Sequence, residues 1–396
     1  MLRVIAYFLI IVLIVVSASA VSSRLWTGKV EELPDSVAVR LIEDMTVGEF
    51  GEKYNLDRPV LKRIFDLQSP NDLNKRVADF GLSDQQLNQK VNQILALHAE
   101  QASKNWFKIP LKGGLWIIFL LIMFGLLRKG KITVKYRKWI YAAAVVIFGV
   151  VLGSDPSPMG TVKDAIVLYG TRGVIFPPRL IAFFVFLLLV ILANKFICSW
   201  GCQVGTLQDL IFRLNRNPKD RQGLFGQIKV PFVISNSIRV AFFLLLIIAA
   251  FAWATDIVEQ IDPFKIFKPQ VIGIAGGLFI GLILVASLFV YRPWCHFFCP
   301  FGLVGWLVEK ISIFRIKVDY DKCISCQACS KACPSNVMDA ILKQNKVIPD
   351  CFSCGTCLEA CPVGAISFSS GKRAAVPKGK FDSKINLENQ EKMQQQ

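Results

Sequence analysis

The sequence predicts a polytopic α-helical membrane protein of about six spans. It adds a small all-α extracytoplasmic domain near the N-terminus and a C-terminal α+β domain organised by cysteines. Three observations predict this. The 396-residue chain is 53% hydrophobic and only 19% charged, against about 45–50% and about 25% in ordinary soluble domains. Its apolar excess is gathered into six runs, near 4–20, 111–127, 139–153, 180–197, 230–254 and 271–290. Of its 12 cysteines, the last eight form two copies of one close-spaced pattern.

Residues 1–23 hold the first run. Val4 to Val16 followed by Ser17-Ala18-Ser19-Ala20 has the core length and small-residue end of a secretory signal, so the segment reads as a retained signal anchor or a cleaved signal peptide. Either reading sends residues 24–108 outward. There Thr46-Val47-Gly48-Glu49 and Ser83-Asp84-Gln85-Gln86 are capping boxes, and Asp57-Arg58-Pro59 starts a helix, giving three or four short helices. The pair 46–54 and 57–65 has helix-turn-helix spacing, but acids and bases balance in this segment, which argues for a docking or shielding module instead.

The membrane domain is assigned to 109–316. A span needs roughly 20 apolar residues, so the second and third runs must borrow flanking residues. Arg128, Lys129, Lys131, Lys135, Arg137 and Lys138 follow the second run, and Arg213, Arg216, Lys219, Arg221 and Lys229 follow the fourth. Basic loops face the cytoplasm, which places both chain-end domains on opposite sides of a bacterial inner membrane, 24–108 outside and 317–370 inside. The same loops account for the formal charge of +17; nucleic acid is not implied as a partner.

The strongest chemical signal lies in 317–370. Cys323-x2-Cys326-x2-Cys329-x3-Cys333-Pro334 is followed by Cys351-x2-Cys354-x2-Cys357-x3-Cys361-Pro362. Three thiolates at this spacing wrap one face of a cubane and the fourth crosses to the other cluster. Cys323, Cys326, Cys329 and Cys361 are thereby expected to hold one 4Fe–4S cluster, and Cys351, Cys354, Cys357 and Cys333 the second. Paired zinc sites use a different spacing. Residues 371–396, polar and Gln-ended, read as a disordered tail.

A second constellation closes two apolar runs: Cys198-x3-Cys202 after the fourth, Cys295-x3-Cys299-Pro300 after the sixth, repeated at a spacing of 97 residues. Asp155-Pro156 and Asp262-Pro263 precede them in the outer loops. Two such units about an axis along the membrane normal would bring four cysteines together. The set suits another iron–sulfur centre, zinc or copper(I), a dithiol couple, or four packed free thiols. The two histidines, His98 in a polar segment and His296 inside the second Cys motif, exclude a haem held between membrane helices. Arg239 inside the fifth run either snorkels to the interface or faces an internal polar site. The outer loop 154–179 contains a helical stretch, Thr161 to Tyr169, which is a candidate quinone site. Gly273-Ile274-Ala275-Gly276-Gly277 reads as helix packing rather than nucleotide binding.

The 317–370 motifs resemble bacterial two-cluster ferredoxins, which implies a small βαββαβ-like unit. Over about 112–370 the chain resembles membrane polyferredoxins of the NapH, NosR and FixG type, with Cys295–Pro300 and Cys323–Pro362 carrying the likeness. The NapH resemblance implies a membrane-bound protein, the quinol dehydrogenase or electron-transfer subunit of an oxidoreductase, that relays single electrons between the quinone pool and a redox partner subunit or reductase. The FixG resemblance implies the alternative, a redox maturation factor for a respiratory metalloenzyme. One position departs from the pattern: Gln203 stands where the first motif would carry Pro, so its turn is expected to differ from that of the second.

Overall fold

The computed structural model describes residues 2–26, 37–40, 42, 44–217 and 223–381. Lys219 and Arg221, counted above among the basic loop residues, and the tail beyond residue 381 lie outside them. The protein is mostly helical. Helices α1 (Leu2–Leu25), α5 (Lys108–Arg128) and α11 (Phe232–Ala252) include three stretches long and apolar enough to cross a membrane. Between α1 and α5 lie α2 (Val47–Lys53), α3 (Arg58–Phe65) and α4 (Asp84–Ser103). Both capping boxes form: Glu49 N donates to Thr46 Oγ1 and Gln86 N to Ser83 Oγ. These helices close on their own core of Val47, Phe50, Ile64, Phe65, Leu87 and Val91. Glu100 at the end of α4 meets Arg179 at 2.6 Å, joining this core to the rest.

Helix α6 (Val134–Ala144) runs on as a π-helical stretch, Val145–Val151. Helix α7 (Pro158–Arg172), capped by Ser157 Oγ, fills the loop 154–179. It packs on α8 (Pro177–Ala193) and α11, and its Met159, Val162 and Val167 are buried. Helix α1 is bound to this assembly, with Ser22 Oγ and Trp26 Nε1 donating to Val151 O and Gln270 Nε2 to Ser23 Oγ.

After α8 the chain reverses at Asn194 (φ +56°) and continues as α9 (Phe196–Trp200) and α10 (Gln203–Leu214). After α12 (Ile274–Ala286) it reverses at Arg292 (φ +48°) into α13 (Pro293–Phe297) and α14 (Pro300–Val308). These reversals correct the expectation that the Cys motifs sit at helix ends. Trp116 Nε1 donates to Gly201 O at 3.0 Å, and Trp116 lies twelve residues before Arg128, about 18 Å along α5 at 1.5 Å per residue. The first motif is therefore folded back among the helices.

In the C-terminal part, β1 (Phe314–Val318) pairs antiparallel with β2 (Ile366–Ser370), Phe314 opposite Ser370. Three short helices lie between them: α15 (Ala328–Ala332), α16 (Val337–Leu342) and α17 (Thr356–Ala360). Among the described residues the βαββαβ expectation reduces to this one ribbon. The segment that would supply a further hairpin turns at Gln344 (φ +52°) and ends at Pro349, which has no N–H for a ladder. Phe124 of α5 stands edge-on to Phe314 and Phe368, at 4.9 and 5.7 Å, and seats the ribbon on the helices. Residues 371–381, part of the tail expected to be disordered, instead fold back: Ser325 Oγ donates to Lys380 O and Lys380 Nζ to Tyr320 O.

Candidate metal centres

The two C-terminal Cys loops are the same structure twice, at a spacing of 28 residues. Ser325 and Gln327 have φ of +61° and +55°; their counterparts Ser353 and Gly355 have +50° and +77°. Left-handed residues at alternate positions bend the chain so that successive cysteines face inward, although each L-residue there costs roughly 1–2 kcal/mol. The bend also aims backbone N–H groups at sulfur: Ser325 N donates to Cys323, Ser353 N to Cys351, and Ala365 N to Cys361 at 3.2 Å.

Two cavities result. One is lined by Cys323, Cys326, Cys329 and Cys361. The other is lined by Cys333, Cys351, Cys354 and Cys357. The structure thus brings together the four cysteines of each expected set, with the fourth of each crossing from the other motif. Burial pushes the thiols of Cys329 and Cys351 up to about 12, so as thiolates they need a cationic partner in the cavity. Iron supplies that charge, and thiolates facing a shared cavity under N–H donors fit an iron–sulfur cluster. Among the described residues no three His, Cys, Asp or Glu side chains converge as a single-ion site.

The structure also gathers the other four cysteines. Cys198, Cys202, Cys295 and Cys299 are all buried, and their thiols lie within electrostatic range of one another. Their two segments are near copies. Cys202 (φ −74°, ψ 120°) and Cys299 (φ −64°, ψ 117°) both cap the helix that follows. Cys202 N donates to Ile197 O and Cys299 N to Trp294 O, residues at the same 97-residue spacing. The turn at Gln203 therefore does not differ from that at Pro300. Pro is favoured at a first helical position because no N–H is needed there; Gln203 reaches instead with Nε2 to the carbonyls of Gly153 and Ser154, at 3.2 and 3.1 Å. A Cβ on Gly302 would stand 2.7 Å from Cys295 O, and one on Gly205 would meet Cys198 O more closely still, so both positions demand glycine.

A buried polar lattice holds the pair, and here composition alone was a poor guide. Lys195 and Arg292, again 97 residues apart, each cross to the opposite repeat: Lys195 Nζ donates to Gly302 O at 2.5 Å and Arg292 Nη1 to Cys198 O at 2.6 Å. Asp209 receives Arg292 and Arg213, both at 2.6 Å, and the Tyr291 hydroxyl at 2.8 Å. Arg239 does not snorkel. It is fully buried and pairs with Asp350 at 2.9 Å while donating to Cys295 O, and Lys195 pairs with the same carboxylate. Burial alone would raise the Asp350 carboxyl, but these two cations hold it down at about 2. Of this lattice the sequence marks Arg239 as a candidate for an internal polar site and Arg213 as a basic loop residue, whereas Arg213 is fully buried on Asp209. The signal that finds Lys195 and Arg292 is the spacing they share with the cysteines, three residues before each motif. His296 lies against Phe352, ring centroids 5.3 Å apart.

The comparisons with known proteins agree with this division. A family described as a 4Fe-4S dicluster domain matches residues 315–362. A second, described as a 4Fe-4S binding domain, matches twice, over 175–220 and 272–319, one match for each membrane repeat. The chain is 30% identical over 199 residues to the putative electron transport protein YccM of Escherichia coli, covering 48% of this chain and 55% of that one. It is 29% identical over 145 residues to the ferredoxin-type protein NapH of the same organism, covering 36% and 48%. Against the regulatory protein NosR of Pseudomonas aeruginosa it is 24% identical over 147 residues, covering 34% and 19%. The chain spans about half the length of the first of these relatives, and no solved structure matches it. Fold and site define a protein with 4Fe-4S-binding domains and membrane-type helices. Within that class, the chain is similar to NapH-like polyferredoxins.

Proposed function

We propose that this protein relays single electrons between the membrane quinone pool and a redox partner, through two 4Fe–4S clusters in 317–370 and a third iron–sulfur centre at Cys198, Cys202, Cys295 and Cys299. The observation that carries the reading is the pairing of the two repeats: their four thiols are all buried, Lys195 and Arg292 bond across from one repeat to the other, and a 4Fe-4S binding family matches each repeat separately. Cys323, Cys326, Cys329 and Cys361 would hold one cluster and Cys351, Cys354, Cys357 and Cys333 the other. Thiolate-held clusters supply one-electron donation and acceptance with little rearrangement. The chain's own residues do the rest: helices exclude water, N–H groups stabilise the thiolates, and the buried cations Lys195, Arg239 and Arg292 offset the negative charge that four thiolates bring into an apolar setting.

The topology that goes with this reading has six spans, α1, α5, α6 with its π-helical continuation, α8, α11 and α12. Residues 24–108 are extracytoplasmic and the cluster domain cytoplasmic in a bacterial inner membrane. We further propose that α1 is retained rather than cleaved, since its Ser22 and Ser23 and the adjoining Trp26 bond to Val151 and Gln270.

Iron and acid-labile sulfide analysis of anaerobically purified protein tests the reading. About twelve irons per chain, falling to about eight in Cys198→Ser/Cys295→Ser, is the expected result. Eight in both would overturn the third centre. Reduction of the clusters by a quinol analogue is expected; intact respiratory flux with an undermetallated client enzyme in a deletion strain would favour the maturation role instead.

A further inference from the structure

The two C-terminal Cys loops are alike in backbone and unlike in surroundings. Their differences fall at matched positions, 28 residues apart. Asp350 stands where the first loop has Lys322, Gly355 where it has Gln327, and Thr356 where it has Ala328. Each change turns the second loop toward the membrane repeats. Asp350 pairs with Lys195 and Arg239, whereas Lys322 is exposed and pairs with nearby Asp319. Gly355 lets the loop press on α5, since a Cβ there would stand 2.8 Å from Leu127 Cδ1. The Thr356 hydroxyl lies 3.4 Å from Cys354 Sγ and accepts from Arg213 at 3.2 Å; its counterpart Ala328 has no hydroxyl to offer.

These contacts complete two separate chains of bonds. One runs from Cys198 O through Arg292, Asp209, Arg213 and Thr356 to the sulfur of Cys354. The other runs from Cys295 O through Arg239 to Asp350, the neighbour of Cys351, whose own carbonyl accepts from Lys195 N. Each membrane repeat thus reaches the second loop by its own route. Trp200 Nε1 donates to Ser353 O besides, and Arg292 lies 4.8 Å over the Phe352 ring. The cavity of the second set is partly walled by Tyr291 from the membrane half. That of the first set is lined only by residues from 318 onward, and its four cysteines are all partly exposed.

We infer that the Asp350–Thr356 loop is the junction that couples the four-cysteine patch to the C-terminal domain, and that the Cys323–Cys329 loop is the outward terminus, where electrons are exchanged with a soluble one-electron carrier protein. This rests on the proposed relay. Each exchange moves one electron and no proton or atom: the centre on one side of the junction is oxidised by one as the cluster on the other is reduced by one, and the soluble carrier closes the balance. The order is the same in either direction of flow. Thr356 acts as a positioning residue, through a hydrogen bond to a cysteine sulfur, which sets cluster potential.

The test uses the full-length protein, purified anaerobically, with Thr356→Ala, which copies the first loop, and Thr356→Ser as the conservative control. Cys326→Ser assigns which reduced-state EPR signal belongs to the first set. In potentiometric EPR titration, Thr356→Ala is expected to lower the midpoint of the second-set cluster alone, with iron unchanged, and Thr356→Ser to restore it. In freeze-quench experiments with reduced methyl viologen as the soluble donor, the first-set signal is expected to appear first. The four-cysteine signal is expected last, delayed about tenfold in Thr356→Ala. Twelve irons with neither or both midpoints shifted, or with the four-cysteine centre reduced first, would overturn the junction while leaving the relay standing. Eight irons in the wild type would overturn the relay, and the junction with it.

Discussion

The molecule holds cysteines in two ways, and the contrast lies between the C-terminal loops and the membrane repeats. A C-terminal loop gathers three cysteines within seven residues, and two left-handed residues per loop suffice to face them inward. A membrane repeat offers only two cysteines, and nothing local brings the second pair. There the work passes to Lys195, Asp209, Arg213, Arg239, Arg292 and Asp350, all completely buried. A locally wrapped site tolerates disturbance elsewhere in the chain. An assembled site depends on every element that converges on it.

The sharpest way to break that contrast is Asp209→Ala. It removes the carboxylate that two buried arginines share, and removing one partner of such a pair costs about 3–5 kcal/mol. The expected result is loss of iron from the four-cysteine patch and a lower melting temperature in detergent, with the EPR signals of the C-terminal clusters retained. Next comes Gly302→Ala, which drives a Cβ against Cys295 O and is expected to cost about 1–3 kcal/mol; the same change at Gly113, whose Cβ would meet nothing, is the control in the same melting experiment. Gly355→Ala asks a C-terminal loop to pay a left-handed penalty of about 1–2 kcal/mol and meets Leu127 as well. It should perturb one C-terminal EPR signal and spare the other. Gln203→Pro gives the first repeat the residue of the second. It forfeits the bonds to Gly153 and Ser154 carbonyls, about 1 kcal/mol net, and urea titration should register a small loss with iron content intact.

The same contrast explains what was legible beforehand. Both loop motifs, the capping boxes at Thr46 and Ser83 and the apolar helices all rest on spacing within a few turns of chain, which a sequence displays directly. The pairing of Cys198 with Cys295 was visible only as a repeat. The reversal at Asn194 was not visible, because nothing near that residue marks a left-handed turn inside an apolar run, and so the motif seemed to end a helix instead of folding back beside Trp116. Asp350 was unreadable for another reason. Its partners Lys195 and Arg239 lie over a hundred residues away, and next to Cys351 it looks like an ordinary loop acid. The missing second hairpin follows from Pro349, whose lack of an N–H was present in the sequence but outweighed by the family likeness.

The crossed bonds of Lys195 and Arg292 carry a consequence for biogenesis. Because each repeat completes the other's backbone bonding, neither half is finished until both are inserted, and Asp350 then arrives from the last-made domain to neutralise Lys195 and Arg239. The chain is therefore translated in the order opposite to its closure: the membrane repeats wait as an open pair with two uncompensated cations until residue 350 emerges. If the four buried cysteines hold the proposed third centre, that interval is when iron would reach them, before the C-terminal domain pairs Asp350 with Lys195 and Arg239.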